Sequence, residues 1–242
     1  MIARLGLALA LLAGPAWAQA PACAIPDDLA LTDLRLPSVQ AAVASRHDLR
    51  ILTVGGSSTA GLAAGGTGFT YPSLLADRLR SALPGITVDV TNRGKPAGST
   101  RARVDRLPAE LARLAPDLVI WAPGSSEAGM SEDIDGFVES LQEGLGRIEA
   151  AHADVILIDL QYAPSIARLI NLSDYDAAIA GVANAADVPL LRRSELMHRW
   201  NDDGTLVLDG APASGRVALV RRLFDCIATA LADGIVKRST AP

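Results

Sequence analysis

Apolar and polar positions along the chain follow two periods, one typical of buried strands and one typical of amphipathic helices. Five short segments are apolar throughout or alternate with a period of two, which predicts strands, the fifth being the weakest. The predicted strands cover residues 49–54, 86–90, 118–122, 155–158 and 188–191. Continuous apolar runs of this length fit strands that are buried on both faces of a parallel sheet.

Segments with the helical spacing of apolar residues separate these strands. Ser99 and Ser131 are expected N-caps, because a serine side chain accepts a hydrogen bond from the first helical turn, and Pro84 with Gly85 ends the first helix. The predicted helices cover residues 71–83, 100–114, 133–152, 175–186 and 213–231. The sequence therefore predicts an α/β fold, a doubly wound five-stranded parallel sheet with helices on both faces in a flavodoxin-like three-layer sandwich. In such a sheet, ligands bind beyond the carboxyl ends of the strands.

The first residues have the pattern of a secretory signal peptide. Arg4 gives a basic start, residues 5–13 form an apolar core, and Ala16-Trp17-Ala18 is a small-x-small cleavage pattern. The alternative is a lipid anchor at Cys23, which the preceding residues 19–22 match poorly. No later apolar run is long enough to span a membrane, so we expect a periplasmic or secreted protein. The expected divisions are a signal peptide at 1–18, an N-terminal extension at 19–48 and a single domain at 49–238.

Composition and charge indicate one compact domain and exclude several classes of binding partner. The chain has 242 residues, of which 50% are apolar, and this suits one compact domain with a sizeable core. A formal charge of -5 and the lack of a dense Lys/Arg run argue against nucleic-acid binding. No Cys, His or carboxylate residues have metal-ligand spacing, so neither a metal ion nor another cofactor is expected.

The chain has two cysteines, Cys23 and Cys226. An exported protein meets an oxidising compartment, in which such a pair can form a disulfide. We expect a bond that ties the N-terminal extension to the last predicted helix. The alternative is two unpaired buried thiols.

An apolar strand that breaks into a glycine-flanked serine is the most informative stretch of the chain. Residues 51–61 read ILTVGGSSTAG, so that Ser57 follows the first strand directly. A phosphate loop would need Lys and then Ser or Thr after Gly61, but Leu62 and Ala63 stand there. A dinucleotide fingerprint would need a spaced glycine triplet, which is missing. A serine nucleophile and a tight turn with an N-capping serine both remain as interpretations.

Other segments decide between these interpretations, because together they resemble the conserved blocks of the SGNH or GDSL hydrolases. GGSSTAG at 55–61 follows the first strand and is similar to the first block, which implies that Ser57 is the nucleophile. NRGKPAG at 92–98 follows the second strand and is similar to the second block. That similarity implies that the backbone N–H of either Gly94 or Gly98 binds the oxyanion.

The third and last blocks follow in the same order. WAPGSSE at 121–127 stands where the third block, normally Gly-x-Asn, is expected, with Ser126 at the asparagine position. LDGAPASG at 208–215 stands where the last block, normally Asp-x-x-His, is expected, with Asp209 at the aspartate position. The resemblance covers nearly the whole mature domain and implies an SGNH-hydrolase fold.

Three positions depart from the family pattern. Ser126 replaces the asparagine that donates to the oxyanion, and losing such a donor lowers the rate about 10²- to 10³-fold. Pro212 occupies the position of the histidine base. Gly56 replaces an aspartate, which leaves the serine itself in place.

Another histidine would have to act as the base. His47 and His152 precede the first and fourth predicted strands, so we expect them at the amino edge of the sheet, away from the site. His198 follows the fifth strand and is the remaining candidate. Carboxylates that would act as weaker bases are Asp202, Asp203 and Glu127.

Two functions follow from this resemblance and its departures. The first is an exported SGNH-type esterase that acts on a small ester or an acylated carbohydrate, with Ser57 attacking and a glycine N–H, helped by Ser126, binding the oxyanion. The second is a catalytically silent relative that keeps the fold to bind a ligand or a partner outside the cytoplasm. The first explains why the serine and the glycines occur together, and the second explains the missing asparagine and histidine.

Overall fold

The computed structural model describes residues 23–32 and 34–239, so the predicted signal peptide at 1–18 lies outside the described residues. The strands are β1 (Asp48–Gly55), β2 (Thr87–Gly94), β3 (Leu118–Ala122), β4 (Asp154–Ile158) and β5 (Leu190–Leu191). They form one parallel sheet in the order β2-β1-β3-β4-β5. The chain order reverses between β1 and β3, which is where open α/β sheets bind ligands. The predicted doubly wound five-stranded parallel sheet is confirmed.

Helices connect the strands. They are α1 (Pro37–Ala41), α2 (Ser57–Ala60), α3 (Tyr71–Ala82), α4 (Thr100–Val104), α5 (Leu107–Leu114), α6 (Ser125–Met130), α7 (Ile134–Ala150), α8 (Pro164–Ala167), α9 (Leu172–Ala185), α10 (Arg193–Asp202) and α11 (Ala213–Ser239). A π-helical turn and two 3-10 turns occupy Ala42–Arg46, Leu62–Ala64 and Thr67–Phe69. Within the described ranges, none of the helices combines the length and the apolar composition that crossing a membrane requires.

Alternate residues of the central strands point to opposite faces of the sheet and into two separate cores. Ile51 of β1 and Ile120 of β3 pack into one core with α1, α3, α10 and α11. Leu52 and Val119, their neighbours along the chain, pack into the other core with α4, α5, α7 and α9. The helices therefore cover both faces of the sheet, as the continuous apolar strands predict.

Two local predictions are wrong. The predicted helix at 100–114 is two helices, because Pro108 lies in the first turn of α5 and cannot donate the hydrogen bond that would continue α4. Ser131 is not an N-cap, since it ends α6 in the left-handed region with φ 53. Asp133 caps α7 instead, and its side chain accepts the N–H of Gly136 at 2.8 Å.

The N-terminal extension is built into the first core. Cys23 and Cys226 form the predicted disulfide, which joins the extension to the buried face of α11. Trp200 Nε1 donates to the carbonyl of Ala24 at 2.8 Å. The buried leucines of the extension are Leu29, Leu31, Leu34 and Leu36. This segment therefore contributes to the hydrophobic core of the domain that it precedes.

Trp121 of β3 requires a glycine on the helix above it. Its ring is fully buried, and a Cβ on Gly144 of α7 would lie 2.3 Å from the Trp121 ring and 2.9 Å from Val104. Such distances leave no space for a side chain at position 144. Glycine therefore lets α7 pack closely on β3, the strand that leads to the predicted third block.

A buried ionic cluster connects the ends of β4 and β5 to α2. Arg193 begins α10 with only 2% of its surface exposed, and it donates to the carbonyl of Asp159 at 2.5 Å and to Ser58 Oγ at 3.3 Å. The N–H of Ser194 donates to the Asp159 carboxylate at 2.8 Å. Burial raises the pKa of Asp159 to about 7, and the neighbouring Asp176 acts in the same direction.

Replacing Gly144 by alanine should destabilise the fold by about 1–3 kcal/mol, because the new methyl group overlaps the Trp121 ring. Gly146→Ala is the matched control on the same helix. Among the described residues, no atom that could obstruct a Cβ at position 146 lies within 4 Å of it. Alanine should therefore stabilise the helix by about 0.5–1 kcal/mol. Urea unfolding measures both effects, and equal free energies of unfolding in the two variants would contradict the close packing of α7 on β3.

The raised pKa of Asp159 predicts a pH dependence of stability. Because this pKa moves from 3.8 to about 7 on folding, the folded state holds a proton that the unfolded state has released in this range. The free energy of unfolding should therefore fall as the pH rises through this window, by an amount on the order of 2–4 kcal/mol.

Asp159→Asn removes the titrating group and keeps an oxygen for the Ser194 N–H. The variant should lose this part of the pH dependence. Urea unfolding of the wild type and the variant at about pH 5 and about pH 8 tests the prediction. Parallel pH profiles would show that Asp159 does not titrate in this range.

Candidate functional site

A cleft of about 250 Å³ opens at the carboxyl ends of β1, β3 and β4. Its hydroxyl groups come from Ser57, Ser58, Ser125 and Ser126. Its apolar wall consists of Leu160, Ile166, Ile170 and Leu172. A larger groove of about 620 Å³ runs between α3 and α11, but several charged side chains line it and it contains none of the predicted site residues. The cleft at the strand ends is therefore the candidate site.

Ser57 lies where the sequence predicts it. It begins α2 directly after β1, and its side chain is exposed at the cleft. Gly61 ends this single helical turn with φ 74, and a Cβ there would be 2.2 Å from Thr70 Cγ2. Only glycine permits this close turn, which sets the length of α2.

Gly94, one of the two candidate oxyanion donors, is engaged within the protein. Its N–H donates to Asn92 Oδ1 at 2.8 Å, and Asn92 Nδ2 donates to the carbonyl of Thr59 at 2.8 Å. A Cβ on Gly94 would be 2.3 Å from the backbone nitrogen of Ala60. Gly94 therefore fixes α2 against the end of β2.

Gly98, the other candidate donor, lies in the loop between β2 and α4. It has a φ of 98, and its carbonyl accepts a hydrogen bond from Arg103 Nη1. Its N–H forms no hydrogen bond with any described residue, but neither Gly98 nor Gly94 is among the residues that line the cleft. The next residue, Ser99, caps α4 as predicted, and its side chain accepts the N–H of Ala102.

Ser126 has an immediate neighbour, Ser125, to which the sequence analysis assigned no role. Gly124, with φ 84, turns the chain from β3 into α6, whose first two residues are Ser125 and Ser126. Both line the cleft, and Ser125 Oγ is 4.0 Å from the Cβ position of residue 56. The sequence contains a signal for Ser125, because it follows Gly124 at the start of α6 as Ser57 follows Gly56 at the start of α2.

Arg103 of α4, which was also missed, joins three segments of the site. Its Nε donates to the carbonyl of Gly55 at 3.2 Å, and its Nη2 donates to the carbonyl of Lys95 at 3.1 Å. Its Nη1 donates to the carbonyl of Gly98. Nη2 also lies 3.8 Å from the Cβ position of Gly56, next to the predicted nucleophile. No local pattern in the sequence indicates these contacts.

Two of the carboxylates considered as weaker bases have structural partners. Glu127 is 2% exposed, and its Oε1 accepts the N–H of Thr100 at the start of α4. Asp203 accepts the N–H of Thr205 at 2.8 Å. Each of these carboxylates therefore stabilises a turn of the backbone.

Asp209, the candidate triad acid, is bonded to α8. Its Oδ2 accepts the N–H of Ser165 at 2.7 Å, and its Oδ1 accepts the hydroxyl of Ser165 at 2.7 Å. Arg168 lies 3.8 Å from the same carboxylate. Because Ile166 of the apolar wall is in α8, Asp209 holds one side of the cleft in position.

The three histidines lie as the sequence predicts. His47 and His152 directly precede β1 and β4 and are therefore at the amino edge of the sheet, opposite the cleft. His198 is half exposed on α10, with its ring 4.7 Å from the Tyr162 ring and its Nδ1 3.0 Å from Asp202. In the described part of the chain, no group of three or more His, Cys, Asp or Glu side chains is arranged to hold a metal ion.

Comparisons with known proteins agree with this geometry. The family model described as the Non-GDSL lipase-like family matches residues 22–241. Curated protein sequences include no match to the chain. Among solved structures, TesA is 24% identical, with a TM-score of 0.59 over 76% of this chain and 98% of its own.

Two further structures have similar scores. A variant of Axe2, an acetyl xylan esterase from Geobacillus stearothermophilus, is 17% identical, with a TM-score of 0.60 over 76% of this chain and 93% of its own. A putative lipolytic protein of the G-D-S-L family from Desulfitobacterium hafniense DCB-2 is 15% identical, with a TM-score of 0.57 over 74% of this chain and 98% of its own. These structures share the fold, and the family model spans almost the whole described chain. The chain belongs to the Non-GDSL lipase-like family, and its fold is that of the SGNH/GDSL hydrolases.

Proposed function

We propose that this protein binds a small ester, such as an acyl group on a carbohydrate, in the cleft and does not hydrolyse it efficiently. One observation carries the proposal. Asp209 has both carboxylate oxygens bonded to Ser165, and Pro212 stands at the histidine position of the same segment. A serine hydroxyl needs a base to remove its proton before it can attack a carbonyl.

The loss of the imidazole base outweighs the features that Ser57 retains. In serine hydrolases with a full triad, removing the histidine lowers kcat about 10⁶-fold, and binding and oxyanion contacts leave about 10³- to 10⁴-fold catalysis over water. Ser126 in place of the asparagine weakens the oxyanion contacts further. Ser57 then serves the ligand as a hydrogen-bonding hydroxyl.

The lining of the cleft supports an acyl ligand. Its volume of about 250 Å³ lies below the range of about 300–1,000 Å³ typical of sites for drug-sized ligands, which suits a short acyl chain. The apolar wall would contact the chain, while the serine hydroxyls would contact ester and sugar oxygens. The fold neighbour Axe2 is an acetyl xylan esterase, which favours an acylated carbohydrate as the ligand class.

Export from the cytoplasm is part of the proposal. The disulfide between Cys23 and Cys226 supports it, because such bonds persist in oxidising compartments. The signal-peptide pattern at 1–18 supports it independently. The protein would then act in the periplasm or outside the cell.

An esterase that uses His198 is the second candidate function. Ser57 is exposed at the family's nucleophile position, and His198 pairs with the Asp202 carboxylate as a catalytic histidine pairs with its acid. The His198 ring stacks on Tyr162, which follows Gln161 of the cleft lining. In Axe2, catalytic mutants replace a serine or a histidine by alanine, so that fold neighbour depends on both residue types.

Acyl binding predicts that glucose pentaacetate binds the protein and that glucose does not. Ile170→Asp places a charge in the apolar wall and should weaken binding about tenfold or more, because an unpaired buried carboxylate is unfavourable. Leu169→Asp is the matched control, since this neighbour is 86% exposed, and should bind as the wild type does. Ligand-observed NMR measures the binding of glucose pentaacetate to the wild type, Ile170→Asp and Leu169→Asp. Equal binding by the three, or none of the acetylated sugar, would contradict the proposal.

Weak catalysis predicts that the wild type, Ser57→Ala and His198→Ala hydrolyse p-nitrophenyl acetate at rates within about twofold of one another. Release of nitrophenolate measures the rates. A wild-type turnover that is lost in Ser57→Ala would replace the binding proposal with the esterase. An equal loss in His198→Ala would then identify His198 as the base.

A further inference from the structure

Gly56 leaves an open space beside Ser57 that a cation and a hydroxyl border. A Cβ built on Gly56 would have Arg103 Nη2 at 3.8 Å, Ser125 Cβ at 3.7 Å and Ser125 Oγ at 4.0 Å as its nearest neighbours. All three distances are ordinary contacts. A side-chain carbon therefore fits at position 56, and Gly56 lines the cleft although its own surface is mostly buried.

The family resemblance indicates which group usually fills this space. Aspartate is the usual residue at this position of the family, and its carboxylate would stand against the guanidinium of Arg103. In this chain Gly56 removes the carboxylate, while Arg103 remains. In the part of the chain that the structure describes, the hydrogen bonds of Arg103 go to backbone carbonyls and none goes to a carboxylate.

Arg103 is held rigidly enough to act as a binding group. Its three bonds to the carbonyls of Gly55, Lys95 and Gly98 use three of its five N–H donors within the described chain. One N–H remains on each terminal nitrogen. A guanidinium held by backbone carbonyls loses little entropy when it binds an oxyanion.

The local charges favour an anion. Burial lowers the pKa of Arg103, and Arg106 acts in the same direction, while Glu127 favours the charged form. Arginine stays protonated in such surroundings. Glu127 is buried, and one of its oxygens already accepts the N–H of Thr100. Beside the space itself, the nearest charged group is the Arg103 guanidinium, and no carboxylate is among the three nearest neighbours of the Gly56 Cβ position.

We propose that Arg103, Ser125 and the space at Gly56 form an anion-binding subsite next to Ser57. The subsite takes a small oxyanion of the ligand, a carboxylate or a phosphate, by hydrogen bonds from Nη2 and from the Ser125 hydroxyl. The inference rests on the proposed function, because it makes the ligand of the same cleft an acidic one. An acyl group with a free carboxylate, or an acidic sugar, fits this chemistry.

Titration with acetate and with inorganic phosphate, followed by protein-observed NMR at constant ionic strength, tests the subsite. Acetamide is the neutral probe that matches acetate in shape. Arg103→Gln should weaken anion binding about tenfold or more, as expected for the loss of a charged hydrogen-bond donor. Arg101→Gln is the matched control, since it removes the same charge from α4 at an exposed residue that pairs with Glu143.

Gly56→Asp is a second variant that keeps the three carbonyl bonds of Arg103. Its φ of -88 lies outside the left-handed region that favours glycine, and the nearest neighbours of its Cβ are at ordinary contact distances. The new carboxylate would occupy the subsite, so anion binding should be lost with the melting temperature retained. This variant keeps the inference testable if Arg103→Gln fails to fold.

Binding by the wild type and Arg101→Gln, with loss in Gly56→Asp and Arg103→Gln, supports the subsite. Whichever of acetate and phosphate binds more tightly then distinguishes a carboxylate ligand from a phosphate ligand. Equal binding of acetate by the wild type and Gly56→Asp overturns the subsite, as does equal binding of acetamide and acetate. Glucose pentaacetate carries no charge, so its failure to bind would defeat the acyl proposal and leave an observed anion subsite standing.

Discussion

The carbonyl oxygen of Gly55 is the acceptor on which the polar part of the cleft depends. It ends β1, which lies between β2 and β3, and accepts the N–H of Lys95 at 3.0 Å and the Nε of Arg103 at 3.2 Å. A carbonyl has two lone pairs, so both bonds form at once. They tie the loop after β2 and the helix α4 to the residue two places before Ser57. Together with the pairing of β1 and β2, these two bonds fix the first and second blocks relative to each other.

Apolar patterning predicted the elements that are buried on both faces and failed where other forces decide. β3 has the predicted bounds, Leu118–Ala122, because every residue in it is buried. β5, the weakest predicted strand, is reduced to Leu190–Leu191 at one edge of the sheet, where it pairs with β4. The break between α4 and α5 comes from the missing N–H of Pro108, which apolar spacing does not reveal.

The candidate site could be predicted as far as the order of its blocks allowed. Parallel strands bring their carboxyl ends to one edge, so Ser57 and Ser126 had to lie near each other. Arg103 could not be found in this way, because its partners are backbone carbonyls in two other segments. The partner of Asp209 was equally hidden, since Ser165 lies 44 residues before it. Contacts between distant side chains have no local signature.

The departures from the family pattern change the charge of the cleft in one direction. A full SGNH site would have aspartates at positions 56 and 209, and the second would be hydrogen-bonded to the histidine base. Here glycine replaces the first, and the second accepts two hydrogen bonds from Ser165 and lies 3.8 Å from Arg168. The cations that remain beside the nucleophile position are Arg103, next to the Gly56 Cβ position, and Arg193, which donates to Ser58 Oγ. A site that lost its base and both free carboxylates is poorly suited to activating a serine and better suited to holding an acidic ligand, so the two proposals have one electrostatic cause.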